Sequence, residues 1–135
     1  MMYGLRWSTV WVHAAIAWLV GCGSAPGPGP VLGGDPFVAT AAGDWEDVDA
    51  AVSLAVGEAE VAVVERLAPA PGRIEFRLLS AGEEPGLLVV ERRGDGLSLE
   101  ARVGRWGRPE TERRLIERVA RRLARLRGVE AAPAR

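Results

Sequence analysis

Residues 73–103, RIEFRLLSAGEEPGLLVVERRGDGLSLEARV, decide how this chain folds. Ile74, Phe76 and Leu78 alternate with Glu75 and Arg77, and Leu97, Leu99, Ala101 and Val103 alternate with Ser98, Glu100 and Arg102. A period of two puts each apolar set on one side of an extended strand. Between them LLVVER (87–92) reads as a further strand, entered through the turn AGEEPG (81–86) and left through RGDG (93–96), whose glycine spacing is that of a tight hairpin. Upstream, EVAVVERL (60–67) reads as the first strand, closed by APAPG (68–72). Connections this short join antiparallel neighbours, so we expect a four-stranded meander with one wet face and one apolar face.

A helix flanks the strands on each side. Asp44 suits an N-cap, and Trp45, Val48, Val52, Ala55, Val56 and Ala59 fall on one side of a helix, with Leu54 opposite, where it is either exposed or covered by something else. Downstream, Pro109 suits a first helical position, Glu110 and Glu112 suit the positive end of the dipole, and Gly128 suits the stop. Leu115, Ile116, Val119, Leu123 and Leu126 make the apolar stripe of this helix, with Arg114, Arg118, Arg121, Arg122 and Arg125 fanned out opposite. The order α-β-β-β-β-α, built from one-sided elements, predicts a two-layer α+β domain over residues 44–129 with both helices on the same sheet face, followed by a disordered tail at 130–135.

The N-terminus reads differently. Arg6 precedes a mostly apolar run of 14 residues, WSTVWVHAAIAWLV (7–20), that ends at Gly21-Cys22. This is the layout of a signal peptide, and it falls short of the roughly 18 to 20 apolar residues that a membrane-spanning helix needs. Leu19-Val20-Gly21-Cys22 resembles the lipobox of bacterial lipoprotein precursors. The resemblance covers residues 1–22 only and implies cleavage between Gly21 and Cys22, with lipid on the Cys22 thiol. Two or three acyl chains at about 0.8 kcal/mol per buried methylene hold a domain far more firmly than one. A lone structural or free thiol is the alternative for Cys22, although a single cysteine in an exported chain calls for some further explanation. In double-membraned bacteria an Asp after that cysteine often retains the product at the inner membrane; Gly23 therefore implies the outer one. Residues 23–36 hold five Gly and four Pro, so 22–43 reads as a lipidated cysteine and flexible tether.

Composition narrows the chemistry. Without residues 1–21 the chain has no His, Lys, Tyr or Met, and its one thiol would be lipidated. Ser–His and Cys–His nucleophiles, Schiff-base lysines and the usual zinc ligands are then excluded, and we expect no enzyme, catalytic residue, metal or cofactor. A carboxylate-dependent hydrolase remains as the least favoured alternative; it would need two acids facing across a cleft. The adjacent acids Glu83 and Glu84 read as a solvated turn.

Three binding features stand out. VGRWGRPE (103–110) offers Arg105, Trp106 and Arg108 to an anion or a stacked sugar, while the plainer reading is a tight connection with Trp106 packed over the core edge. The second feature is the basic helix. Residues 108–127 carry eight Arg and three Glu, net +5, within a chain of formal charge -1. Arg114, Arg118, Arg121 and Arg125 could therefore rest on anionic head groups, or form a solvated face with pairs such as Glu110 to Arg114 and Glu117 to Arg121. Every cation of the chain is Arg, which lowers the weight of any one of them, and nucleic acid is not expected as a partner. Third, Arg93-Gly94-Asp95 spells the integrin-recognition tripeptide, but a hairpin turn explains it equally well. The expectation is a lipid-anchored cell-envelope protein, membrane-bound through Cys22, whose non-catalytic domain meets another envelope protein or a surface polymer through its wet face (Glu75, Arg77, Glu100, Arg102) and its strand edges.

Overall fold

A computed structural model of the chain describes residues 32–128. The expected cleavage residues Leu19, Val20 and Gly21, the expected lipidation residue Cys22, the rest of the expected tether as far as residue 31, and the 130–135 tail lie outside the described residues. Strands β1 (Phe37–Ala41), β2 (Val61–Ala70), β3 (Arg73–Ser80), β4 (Pro85–Arg93) and β5 (Gly96–Val103) and helices α1 (Val48–Val56) and α2 (Pro109–Leu126) form an α+β fold. The five strands make one sheet in the order β1-β5-β4-β3-β2, with every pair antiparallel.

The meander β2 to β5 is the expected one, but the sheet has five strands and not four. Residues 37–41, which the composition of their surroundings assigned to the tether, pair with β5 from Phe37 opposite Ala101 to Ala41 opposite Leu97. FVATA alternates as a strand should, with Phe37, Ala39 and Ala41 toward the core and Val38 and Thr40 away from it. Its side chains are mostly small and its partner lies about sixty residues downstream, so only the assembled β5 edge reveals it. The strand β2 also runs further than expected. Pro69 is tolerated inside it because β2 is an edge strand, bonded to β3 alone, and the pairing is irregular between Leu67 and Ala70, where no regular ladder bond is lost.

Alternation divides the sheet cleanly. Ile74, Phe76, Leu78, Leu88, Val90, Leu97, Leu99 and Ala101 are buried beneath both helices. From α1 come Val48, Ala51, Val52 and Ala55, and from α2 come Leu115, Ile116, Val119 and Leu123, all essentially inaccessible to solvent. The alanines of α1 let it lie close to its neighbours, and Gly43 is small for the same reason, since a Cβ there would stand 2.8 Å from Leu123 Cβ. Single helical turns at 45–47 and 57–59 extend α1 at both ends. Asp44 stands at the head of this segment without a side-chain capping bond, and Leu54 is exposed. Pro109 occupies the first position of α2 as expected, and Gly128 follows it with φ +73°.

Candidate functional site

The strands all run between the same two ends of the domain. At one end lie the β3–β4 turn, the β5–α2 connection and residues 32–36; at the other lie the β4–β5 hairpin and the start of the α1 segment. The β5–α2 connection is Gly104-Arg105-Trp106-Gly107, and both glycines have φ +80°, a conformation that side chains strongly disfavour. The loop they bound is fixed on several sides. Gly104 N–H donates to Pro85 O at 2.8 Å, Gly107 N–H to Gly104 O at 3.3 Å, and Gly33 N–H to Arg105 O at 2.9 Å. From the first turns of α2, Glu112 reaches back with its side chain 1% exposed, and its Oε1 accepts the N–H groups of Val103 and Arg108, each at 2.9 Å. Both ends of the loop thus hang on one buried carboxylate, a relative of the capping box.

Trp106 sits at the tip and is 86% exposed, so it does not pack over the core edge. Glycines on both flanks of a two-residue tip leave its side chain no route back to the core, which is the physical reason that the plainer expectation fails. Arg105 is exposed beside it. Arg108 is engaged elsewhere, its guanidinium ion-paired with Glu84. Glu83 is exposed in the β3–β4 turn as expected, and Glu84 keeps 34% of its side chain exposed there, but its Oε2 is buried with no conventional hydrogen bond, and the ionic contact to Arg108 is what compensates it. The structure therefore joins Arg105 and Trp106 as a displayed pair and removes Arg108 from the group.

The basic stripe of α2 is largely answered within the domain. Arg118 and Arg122 both pair with Glu58, Arg114 lies 3.9 Å from Glu60, and Arg113 bridges Glu110 at 2.6 Å and Glu117 at 2.9 Å. Arg113 thus takes the two carboxylates that the sequence assigned to Arg114 and Arg121. The Arg122 hydrogen bond, with the charges of Arg122 and Arg118, holds the Glu58 carboxyl below its ordinary value, and Arg113 does the same for Glu110. Arg121 and Arg125 are exposed.

The sheet face opposite the helices carries cross-strand rows. One row runs Val38, Glu100, Val89, Glu75, Leu67 across all five strands, and the next runs Arg102, Leu87, Arg77, Glu65. Arg77 pairs with Glu65 at 2.6 Å and Arg73 with Glu75 at 2.7 Å, while Glu91 holds both Arg73 and Arg93. Among these ion pairs Val89 is only 4% exposed, and Leu79 is 38% exposed. Leu32 lies across this face: its carbonyl accepts a bond from Arg102 Nη1 at 3.1 Å, and with Leu87, Val89, Glu100 and Arg102 it bounds a recess of about 160 Å³. Sequence reasoning named Glu75, Arg77, Glu100 and Arg102 on this face but passed over Leu87 and Val89, because the run LLVV hides which two of its four residues face outward.

At the far end, Arg92 stacks over Trp45 at 5.1 Å from the ring centroid. They line an open recess of about 340 Å³ with Asp44, Glu46 and Asp95. Three acids therefore share one rim, and the Asp44 and Glu46 side chains are 57% and 80% exposed. Gly94, with φ +58°, opens the two-residue hairpin turn, and Arg93 of the Arg-Gly-Asp tripeptide is ion-paired with Glu91. Among the described residues no three His, Cys, Asp or Glu side chains gather into a metal-binding group, and no helix is long and apolar enough to cross a membrane. The chain matches no model of a known protein family and no curated protein.

Proposed function

We propose that the protein is a lipid-anchored cell-envelope protein, held through Cys22, whose small α+β domain is a non-catalytic binding module that contacts another envelope protein or a surface polymer through the open face of its sheet. The lipobox-like Leu19-Val20-Gly21-Cys22 supports the anchor, and Gly23 in place of Asp supports the outer membrane in a cell that has two. The observation that carries the module is the open face itself. Its rows set charges, several of them ion-paired, beside the half-buried or exposed Leu87, Leu79 and Leu67, and no helix covers them among the described residues. A mixed face of this kind offers a partner both apolar area and fixed polar register.

The test has two readouts. Mass analysis of the N-terminal peptide from the envelope fraction is expected to find Cys22 at the N-terminus and carrying lipid. A photo-crosslinking residue at position 79 or 100 is expected to trap one discrete species in intact cells, while the same residue at position 121 on α2 traps none. Equal labelling from the two surfaces, or none from the sheet, removes the open face as the contact surface.

A further inference from the structure

We infer that the Arg105–Trp106 tip is a seat on the interface of the phospholipid bilayer, which fixes how the anchored domain stands on its membrane. The inference rests on the lipid anchor proposed above and adds an orienting contact to it. Trp106 is the most exposed large apolar side chain among the described residues, and the loop that carries it is not loose. Two positive-φ glycines, the bonds of Glu112 to Val103 and Arg108, and the bond of Gly33 to Arg105 hold it in one conformation. The backbone beneath a tryptophan so displayed has little conformational freedom still to lose on binding, and an indole, apolar with one N–H, is the side chain suited to head-group depth.

The place of the tip identifies the occupant. The chain reaches the domain at Leu32 and Gly33, and Gly33 is bonded to the backbone of the tip itself. Leu32 follows Cys22 by ten positions, a span of at most about 35 Å when fully extended. The surface nearest the anchor along the chain is therefore the surface that bears the exposed indole, and anchoring supplies the high local concentration that a single weak contact needs. Charge permits the approach. At this end of the sheet Glu84 is neutralised by Arg108, Glu58 by Arg118 and Arg122, and Arg114 lies near Glu60. The attraction is accordingly that of the indole, and it requires no excess of anionic lipid. Of the arginines of α2, Arg113, Arg114, Arg118 and Arg122 already have acidic partners in the domain, which leaves less of the stripe for a membrane.

The test uses the chain from Cys22, whose single thiol allows coupling to a maleimide lipid in vesicles of phosphatidylethanolamine and phosphatidylglycerol. Seating is thereby measured whether or not the cell lipidates Cys22, and that second question is answered separately by the mass analysis. This chain contains only Trp45 and Trp106, so 5-fluorotryptophan gives two fluorine resonances, assigned with a Trp106→Phe variant. With a spin label on the lipid head group, the Trp106 resonance is expected to broaden at least fivefold more than that of Trp45, and to remain broadened in 0.5 M salt. Glu112→Gln, which keeps the oxygen acceptor under the loop, retains the effect. A Trp106 resonance that stays as sharp as that of Trp45, or that is broadened only at low salt, overturns the inference; the first result leaves the tip facing water or another partner, and the second assigns the contact to arginine.

Discussion

Glu112 is the residue whose removal most directly tests how the β5–α2 loop is held. In Glu112→Ala the N–H groups of Val103 and Arg108 lose their acceptor, and Val103 is fully buried. An unsatisfied buried donor such as Val103 N–H costs about 1–3 kcal/mol and the part-buried Arg108 N–H less, so the two together cost about 2–5 kcal/mol, with a few tenths returned by the better helix propensity of alanine. For a domain of this size each kcal/mol moves Tm by about 4–8 °C, which places the expected fall between about 8 and 40 °C. Glu112→Gln keeps an amide oxygen for both donors and loses only the strengthening that charge gives, about 1 kcal/mol per bond, so it should fall between wild type and alanine. The assay is urea unfolding followed by far-ultraviolet circular dichroism on the chain from residue 22 with Cys22→Ser, since every core residue lies between Ala41 and Leu123. Native-state amide exchange at Val103 and Arg108 adds a local readout and should accelerate in Glu112→Ala. An alanine variant within 0.5 kcal/mol of wild type, or a glutamine variant as unstable as alanine, would refute the view that one carboxylate carries both ends of the loop.

Three further outcomes are expected. Leu99→Ala, at a position with no solvent exposure in the central part of β5, should cost about 2–5 kcal/mol by urea unfolding, whereas Leu54→Ala on the exposed side of α1 should change stability by less than about 0.5 kcal/mol. Gly43→Ala brings a Cβ to 2.8 Å from Leu123 Cβ and should cost about 1–3 kcal/mol; Leu123→Ala keeps that Cβ and removes only the contacts at 3.1 and 3.3 Å to Cδ2 and Cγ, so it should rescue little of the loss in the double variant. The carboxyls of Glu58, Glu91 and Glu110 are held below their ordinary values, chiefly by hydrogen bonds from Arg122, Arg93 and Arg113. Their contribution is therefore present above the unfolded value of about 4.3 and is lost as pH falls through the lower folded values. The urea midpoint should be flat from pH 7 to pH 5.5 and fall below about 4.3, and Glu58→Gln should lower the neutral midpoint while making the acid slope shallower.

How much of this was legible in the sequence depends on the distance over which each element is decided. The strands β3 and β5 announce themselves because their side chains alternate against near neighbours, and α2 because a period of 3.6 persists over 18 residues between Pro109 and Gly128. Phe37–Ala41 was hidden because its stability comes from β5, far along the chain, and because the glycines and prolines just upstream suggested a tether. At the site, Arg105 and Trp106 were identifiable as a pair, but aromatic character alone does not say whether a ring packs or projects. The signal was present in Gly104 and Gly107: two glycines bounding a two-residue tip leave the ring nothing to fold onto. Glu84 and Glu112 were assigned roles fit for solvent, a turn and a helix dipole, since nothing local tells a carboxylate that it will be enclosed by a loop from another element. The same holds for Glu58, which is matched to Arg118 and Arg122 only when α2 comes to lie beside the end of α1.

The short strand β1 has a mechanical consequence. Leu32 lies at one end of the sheet, and the last turn of α2 lies at the other, where Gly43 abuts Leu123 and Arg127 stands 3.9 Å from Asp44. Tension applied between a fixed N-terminus and the far end of the domain therefore runs along the strands. The five register pairs that join β1 to β5 would be loaded in shear and must yield together, not open one after another as in a peeled hairpin. Resistance to pulling is set by the rate of unfolding and not by equilibrium stability. A strand of only five residues thus gives the domain a strong direction, and a pull on the opposite edge at β2, across the ladder, would find a weak one.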